Sequence, residues 1–315
     1  MRIRHFLVGL SVLAMSAEAQ QPPRLLSTET TGWEASASTM RRDPSDIIRV
    51  GERYYVWYTK GQVHHGYDST IYYATSADGI AWEEQGEALA RGPEGSWDAQ
   101  SVFTPNILVA ENRYWLFYTA VPKPFSNDGN KVTKSAIGIA MSDSPDGPWT
   151  KLDTNPALRT SDDPAQFDSM RVDDTVMMVR EGAYWLYYKG RQWDGSWNAT
   201  KLGVAISKRP EGPYVKHAGN PVVPAGHEVM VWPFGEGVAA MINIGPKPYA
   251  KSLQYAADGL TFKKMMDLQA VPHAAGFYIP EAFTDSGKGK HPTWGIQIVD
   301  RKDVLPTIGR FDLRW

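Results

Sequence analysis

The chain has 315 residues, no Cys, a formal net charge of -2, and 42% hydrophobic, 12% aromatic but only 22% charged residues. Its length and apolar content supply one large domain or two ordinary ones. A near-neutral balance without a Lys/Arg block excludes a nucleic-acid partner, and the lack of Cys excludes disulfides, thiol nucleophiles and thiolate metal sites.

Arg2, Arg4 and His5 precede an apolar run from Phe6 to Met15, and Ala17-Glu18-Ala19 then presents the small-x-small pattern of a cleavage site. This predicts a signal peptide over residues 1–19 and an exported protein, periplasmic or secreted. No stretch supplies the roughly twenty consecutive apolar residues of a membrane helix, so no membrane span is expected. Residues 20–40 read as an N-terminal segment ahead of the folded domain, 41–315.

A repeat organises that domain. Tyr54-Tyr55-Val56-Trp57-Tyr58 returns as Tyr114-Trp115-Leu116-Phe117-Tyr118 and as Tyr184-Trp185-Leu186-Tyr187-Tyr188. Each run is aromatic and β-branched between polar turns, the pattern of a buried strand paired as a hairpin with the strand before it. A second element recurs at Ile71–Ser76, Ile137–Ser142, Leu202–Ser207, Leu253–Asp258 and Ile308–Leu313. No 3.6-residue period is long enough for a substantial helix. Five units of three to four antiparallel strands predict an all-β, five-bladed β-propeller with the catalytic site at its central channel.

The innermost strand of each blade lines that channel. Counting back from the aromatic strand sets Asp43 opposite Phe103 and Asp173, and a looser register adds His227 and Glu281. Asp43 precedes Pro44 and also suits a turn initiator. Asp168, Asp173 and Asp174 crowd one region, where some serve as caps. Carboxylates converging on one axis shift one another's pKa and are tolerated mainly where they function. Beside two of them, His227 is expected to stay protonated and to suit a general acid.

The glycine-rich stretch Gly235–Ala240 lies in the β-repeat, with no helix to receive a pyrophosphate, and no HExxH, phosphate loop or GxSxG occurs. Asn198-Ala199-Thr200 is a formal glycosylation sequon.

Arg42-Asp43-Pro44-Ser45-Asp46 followed by Tyr54–Tyr58 resembles the five-bladed propeller glycosidases of the family 43 type. With Gly95–Asn106, Phe167–Asp174, Tyr188-Lys189-Gly190 and His227-Glu228, the chain more closely resembles glycoside hydrolase family 117, the α-1,3-(3,6-anhydro)-L-galactosidases. The resemblance implies an inverting exo-hydrolase that releases 3,6-anhydro-L-galactose from the non-reducing end of neoagarobiose and neoagaro-oligosaccharides in agar degradation. By position it makes Asp43 the general base, Asp173 the carboxylate that tunes pKa and orients substrate, and His227 the acid, with Glu228 beside it. Base and acid would then stand roughly 6.5–9.5 Å apart. Trp97, Gln100, Thr104, Asn106, Arg171, Lys189, Glu228 and Glu281 are the candidate substrate-binding residues. The family dimerises through a helical N-terminal segment longer than the one here, which leaves a homodimer open. Related propellers hold a divalent cation in the channel, for which His64, His65 and His273 are candidate ligands; no organic cofactor is implied.

Two alternatives stand beside this reading. A catalytically silent sugar-binding propeller needs only aromatic platforms, such as Trp97, Trp193, Trp197, Trp232 and Tyr278. An arabinanase or xylosidase relative would use a Glu acid, Glu228 or Glu281.

Overall fold

The computed structural model describes residues 21–127, 132–193, 195–196 and 199–315. The expected signal peptide, Trp197 and the sequon's Asn198 lie outside the described residues. These form five antiparallel sheets, each a blade whose strands run outward from a common axis. The only helical element described is a 3-10 turn at Gly66–Asp68, and none is long and apolar enough to cross a membrane.

The innermost strands are Met40–Arg42 continued by Ile48–Val50, then Ser101–Ala110, Arg171–Arg180, His227–Phe234 and Gly276–Tyr278. The three aromatic repeats lie within the second strands of blades 1 to 3, Arg53–Gly61, Arg113–Val121 and Ala183–Arg191. The fifth blade takes its outermost strand from the other end of the chain. Arg24–Thr28 pairs along Thr307–Arg314, from Arg24 opposite Arg314 to Thr28 opposite Arg310. Part of the segment expected to precede the domain is therefore a propeller strand.

Strand periodicity explains where the core lies. Successive side chains of a strand face opposite sides, so each aromatic repeat feeds two neighbouring interfaces. Tyr55 and Trp57 pack against blade 2 beside Leu116 and Tyr118, while Val56 and Tyr58 pack against Trp294 and Ile296 of blade 5. Trp115 and Phe117 meet Leu186 and Tyr188; Trp185 and Tyr187 meet Val231 and Val238. The fifth interface joins Trp232 of blade 4 to Phe277 and Phe311 of blade 5. The core is thus five layers between blades, one per interface.

Blades 2 and 3 share one further device. Trp97 stacks on Tyr118 with centroids 5.8 Å apart, and Phe167 occupies the same place against Tyr188 at 5.8 Å. Gly138 and Gly203 make room: a Cβ on Gly138 would lie 2.6 Å from Tyr118 and 2.7 Å from Trp97, and one on Gly203 would lie 2.5 Å from Phe167. Gly203→Ala is therefore expected to destabilise the fold by about 1–3 kcal/mol through overpacking, read as a lower urea midpoint at unchanged slope. A neutral result would remove this explanation of the repeated glycine.

Candidate active site

The channel is built by one backbone feature repeated five times. Each blade places one residue of its innermost segment in the left-handed region: Asp43 (φ 49°), Thr104 (φ 44°), Asp174 (φ 48°), Glu228 (φ 57°) and Ala274 (φ 41°). In blades 2 and 3 this residue sits in a bulge, where the register slips between Phe103 and Asn106 and between Asp173 and Val176. A bulge re-aims a side chain out of the alternation of its strand. These five residues are the wall shared by two chambers, an outer one of about 250 Å³ and an inner one of about 70 Å³. Three of the five are carboxylates.

This ring corrects the register expected from the sequence. Arg42, Phe103 and Asp173 pair with Thr59, Thr119 and Lys189 at matching points of the second strands. Between that point and the residue opposite the second position of the aromatic run (Ile48 opposite Tyr55, Leu108 opposite Trp115, Met178 opposite Trp185) blade 1 carries five residues and blades 2 and 3 carry four, so counting back from the aromatic strand is out by one. Asp43 matches Thr104, Asp174 and Glu228, not Phe103, Asp173 and His227. Glu281 is exposed, accepts a hydrogen bond from Ser286 at 3.1 Å, and lines neither chamber.

The carboxylates differ in environment. Asp43 is partly buried, its side chain 14% exposed, and that burial raises its pKa above the ordinary value, with Arg42 opposing and Asp174 adding; Arg42 Nε donates to its Oδ2 at 2.9 Å. Asp174 pairs with Lys189, which also lies 3.5 Å from Asp173 Oδ1. Asp173 Oδ1 has no hydrogen-bond partner, and burial lifts the pKa of Asp173 to about 6. Burial works against the charge of Lys189, but Asp173 and Asp174 hold its pKa above the ordinary value. For Glu228 burial acts upward, yet the hydrogen bond and charge of His273 bring its pKa below the usual range. His273 Nε2 lies 3.1 Å from Glu228 Oε1, and Asn243 donates to Oε2 at 3.1 Å. The same hydrogen bond raises the pKa of His273.

His227 overturns the expectation of a protonated imidazole. Burial, followed by the charge of Lys189, lowers its pKa to about 4 despite Asp174 and Glu228. Thr200 gives its single hydroxyl proton to Gly226 O at 2.8 Å, so at the 3.1 Å contact His227 Nδ1 must be the donor. Nε2 of the neutral ring then carries no proton to give.

The remaining candidates divide. Thr104, Arg171, Lys189 and Glu228 line the outer chamber. Arg171 is also a clamp: its guanidinium donates to Asn127 Oδ1 at 2.9 Å and to Thr133 O, and lies against Tyr67 and Phe125, themselves stacked at 4.4 Å. Gln100 stands outside and donates to Tyr67 O at 3.2 Å, steadying that loop. Trp97 is blade packing, as are Trp232 and Tyr278. Sequence reasoning missed Arg42, Tyr67, Asp174 as a ring member, Thr200 and Arg191, all of which line the outer chamber.

Asn106 belongs to the inner chamber. It donates to Asp46 Oδ2 at 2.9 Å and accepts from Met177 N at 3.3 Å, while Phe277 N donates to Asp46 Oδ1 at 2.8 Å. This chain of bonds ties blades 1, 2, 3 and 5 at the axis. Burial lifts Asp46 to about 7 from 3.8, so the folded state keeps a proton that the unfolded chain releases, and this group adds stability as pH falls from 7 towards 4. Asn106→Ala is expected to cost about 2–4 kcal/mol at neutral pH and less near pH 5; equal losses at both pH values would refute the coupling.

The candidate cation ligands do not converge. His65 Nδ1 accepts from Tyr67 N, His64 contributes its carbonyl to Arg42, and both nitrogens of His273 face carboxylates. Among the described residues no group of three or more His, Asp or Glu has the geometry to hold a metal ion.

Carboxylates spaced around the mouth of a five-bladed channel, with one general-base candidate and one paired to an imidazole, define the class: a glycoside hydrolase of the propeller type. The family model described as glycosyl hydrolases family 43 matches residues 37–195. Zg3597, a family 117 glycoside hydrolase of the marine bacterium Zobellia galactanivorans, is 32% identical and superposes with a TM-score of 0.82, covering 92% of this chain and 90% of its own. The chain belongs to glycoside hydrolase family 117. The fold alone is shared with the β-fructofuranosidase BmSUC1 of Bombyx mori (14% identity, TM-score 0.60, coverage 88% of this chain and 61% of its own). It is shared likewise with the endo-arabinase of Bacteroides thetaiotaomicron (16%, 0.55, coverage 88% and 96%). No curated protein matches the sequence.

Proposed function

We propose that the protein is an exo-acting, inverting glycoside hydrolase that releases 3,6-anhydro-L-galactose from the non-reducing end of neoagaro-oligosaccharides. The observation that carries the hydrolytic part is the ring of Asp43, Asp174 and Glu228 on separate blades at the waist of one pocket. An outer chamber of about 250 Å³, at the small end of ligand pockets, supports removal of one terminal sugar; the sugar's identity rests on the family resemblance.

In this reading Asp43 accepts a proton from the attacking water. Glu228 replaces His227 as the group that delivers a proton to the leaving oxygen. Glu228 is itself ionised, its pKa held below the usual range, so the proton originates on His273, whose pKa the hydrogen bond raises: it passes from His273 Nε2 to Glu228 Oε1 and on to the leaving oxygen, leaving His273 neutral until solvent recharges it. His227, neutral and fixed by Thr200, presents an acceptor to a sugar hydroxyl. Lys189 holds Asp173 and Asp174 in place. Export is part of the proposal, and cleavage after Ala19 would leave the strand Arg24–Thr28 intact.

The test is incubation with neoagarobiose, following monosaccharide release and its anomeric configuration. Anhydrogalactose released with inversion supports the reading. Turnover only of arabinosides or xylosides would keep the hydrolase and replace the substrate; binding without turnover of any of these would overturn the enzyme.

A further inference from the structure

We propose that Arg191 recognises an anionic substituent, a sulfate ester or a carboxylate, on the saccharide that enters the outer chamber. This deepens the glycosidase reading and rests on it. Arg191 ends the second strand of blade 3 and pairs across the sheet with Arg171. Cross-strand partners project to the same face, and both residues line the outer chamber beside Thr200 and His227.

The cations of this chamber are unequally matched. Arg42 has Asp43, and Lys189 has Asp173 and Asp174. Neither Arg171 nor Arg191 has a carboxylate within ion-pair distance among the described residues; Asp173 attracts both only from beyond that distance, and the charge of Arg191 disfavours that of Arg171. Arg171 at least spends its terminal nitrogens on Asn127 and Thr133 O. Arg191 is 8% exposed, and its Nε and Nη2 are buried with no hydrogen-bond partner. Those two nitrogens form one edge of the guanidinium, the edge that grips a carboxylate or sulfate through parallel hydrogen bonds.

A buried charge without a close, hydrogen-bonded partner is costly unless something completes it. A neutral sugar hydroxyl cannot balance a second guanidinium. An oxyanion in the chamber balances the charge and engages the empty edge once the side chain turns towards it. A planar, permanently charged fork suits this task better than a lysine.

Binding and hydrolysis are to be compared for three galactan-derived oligosaccharides of equal length: a neutral one, one bearing a sulfate ester, and one ending in a uronic acid. Calorimetry on Asp43→Asn protein reads binding without turnover. At least one anionic oligosaccharide should bind about tenfold or more tightly than the neutral one, that preference should fall with added salt, and it should collapse in Arg191→Gln and partly return in Arg191→Lys. Melting curves of both variants identify any that fails to fold, in which case the wild-type preference and its salt dependence decide. The better of the two anionic arms identifies the substituent. Equal binding of all three oligosaccharides, or a preference that survives Arg191→Gln, overturns the proposal while leaving the glycosidase intact. Anion-selective binding with no hydrolysis of any oligosaccharide by wild type would instead sink the glycosidase reading.

Discussion

Asp43→Asn is expected to lower turnover by about 100- to 10,000-fold, the range a positioned general base contributes, with saccharide binding changed only severalfold. An amide keeps the shape and the hydrogen bond from Arg42 possible but cannot take a proton from water. The wild-type pH profile should carry the same signature. Burial raises Asp43 above its ordinary 3.8, and a base works only when ionised, so kcat/KM should rise with pH through a value above 3.8. The alkaline limb should lie above 6.5, where the raised His273 loses the proton it shares with Glu228. An Asp43→Asn enzyme with near-normal kcat would remove the base assignment. An acid limb at or below the ordinary carboxylate value would remove the electrostatic account of it.

The second large effect separates two acids. Glu228→Gln should cost about 100- to 10,000-fold in kcat, because glutamine cannot relay a proton from His273. His227→Gln should cost about tenfold, the worth of one hydrogen bond to a sugar hydroxyl. The contrast comes from local bonding: Glu228 faces an imidazole whose pKa is raised, whereas His227 is neutral and its Nδ1 proton is committed to Thr200. Substrates with a good leaving group, which need no acid, should restore most of the rate in Glu228→Gln and little in Asp43→Asn. A reversed order, with His227→Gln the more damaging, would return the acid role to the histidine.

The propeller was legible because blade packing repeats. A buried strand that must meet a neighbour on each face needs apolar residues on both, hence the aromatic runs at Tyr54, Tyr114 and Tyr184, and small residues such as Gly138 and Gly203 beneath the rings. The site was legible only in part. Asp43 and Glu228 stood in recognisable segments, but the left-handed residue of each blade does not fall at a constant count from the aromatic strand, so one added residue in blade 1 set Asp43 against Asp173 instead of Asp174. Glu281 shared the left-handed conformation of the ring but not its location. Trp97 was misjudged because stacking in a blade and stacking on a sugar demand the same side chain. Tyr67, Thr200 and Arg191 carried no local signal, since their meaning comes from side chains brought together only by ring closure.

That closure also sets how the molecule must be made. Arg24–Thr28 completes the last blade by pairing with Thr307–Arg314, up to Arg314, so these two strands, far apart in sequence, are neighbours and the ring shuts only after both are available. Contacts of such sequence separation are slow to form. An intermediate lacking them would expose the free edge of Thr307–Arg314, an unpaired strand prone to join another chain. Deleting the chain through Thr28, which removes the closing strand, should therefore trouble refolding yield more than the activity of molecules already closed. Because Arg24 and Arg314 lie side by side, a short linker between these two residues with new ends cut in an exposed turn such as Gly235–Glu236 should yield a permuted chain that folds to the same ring.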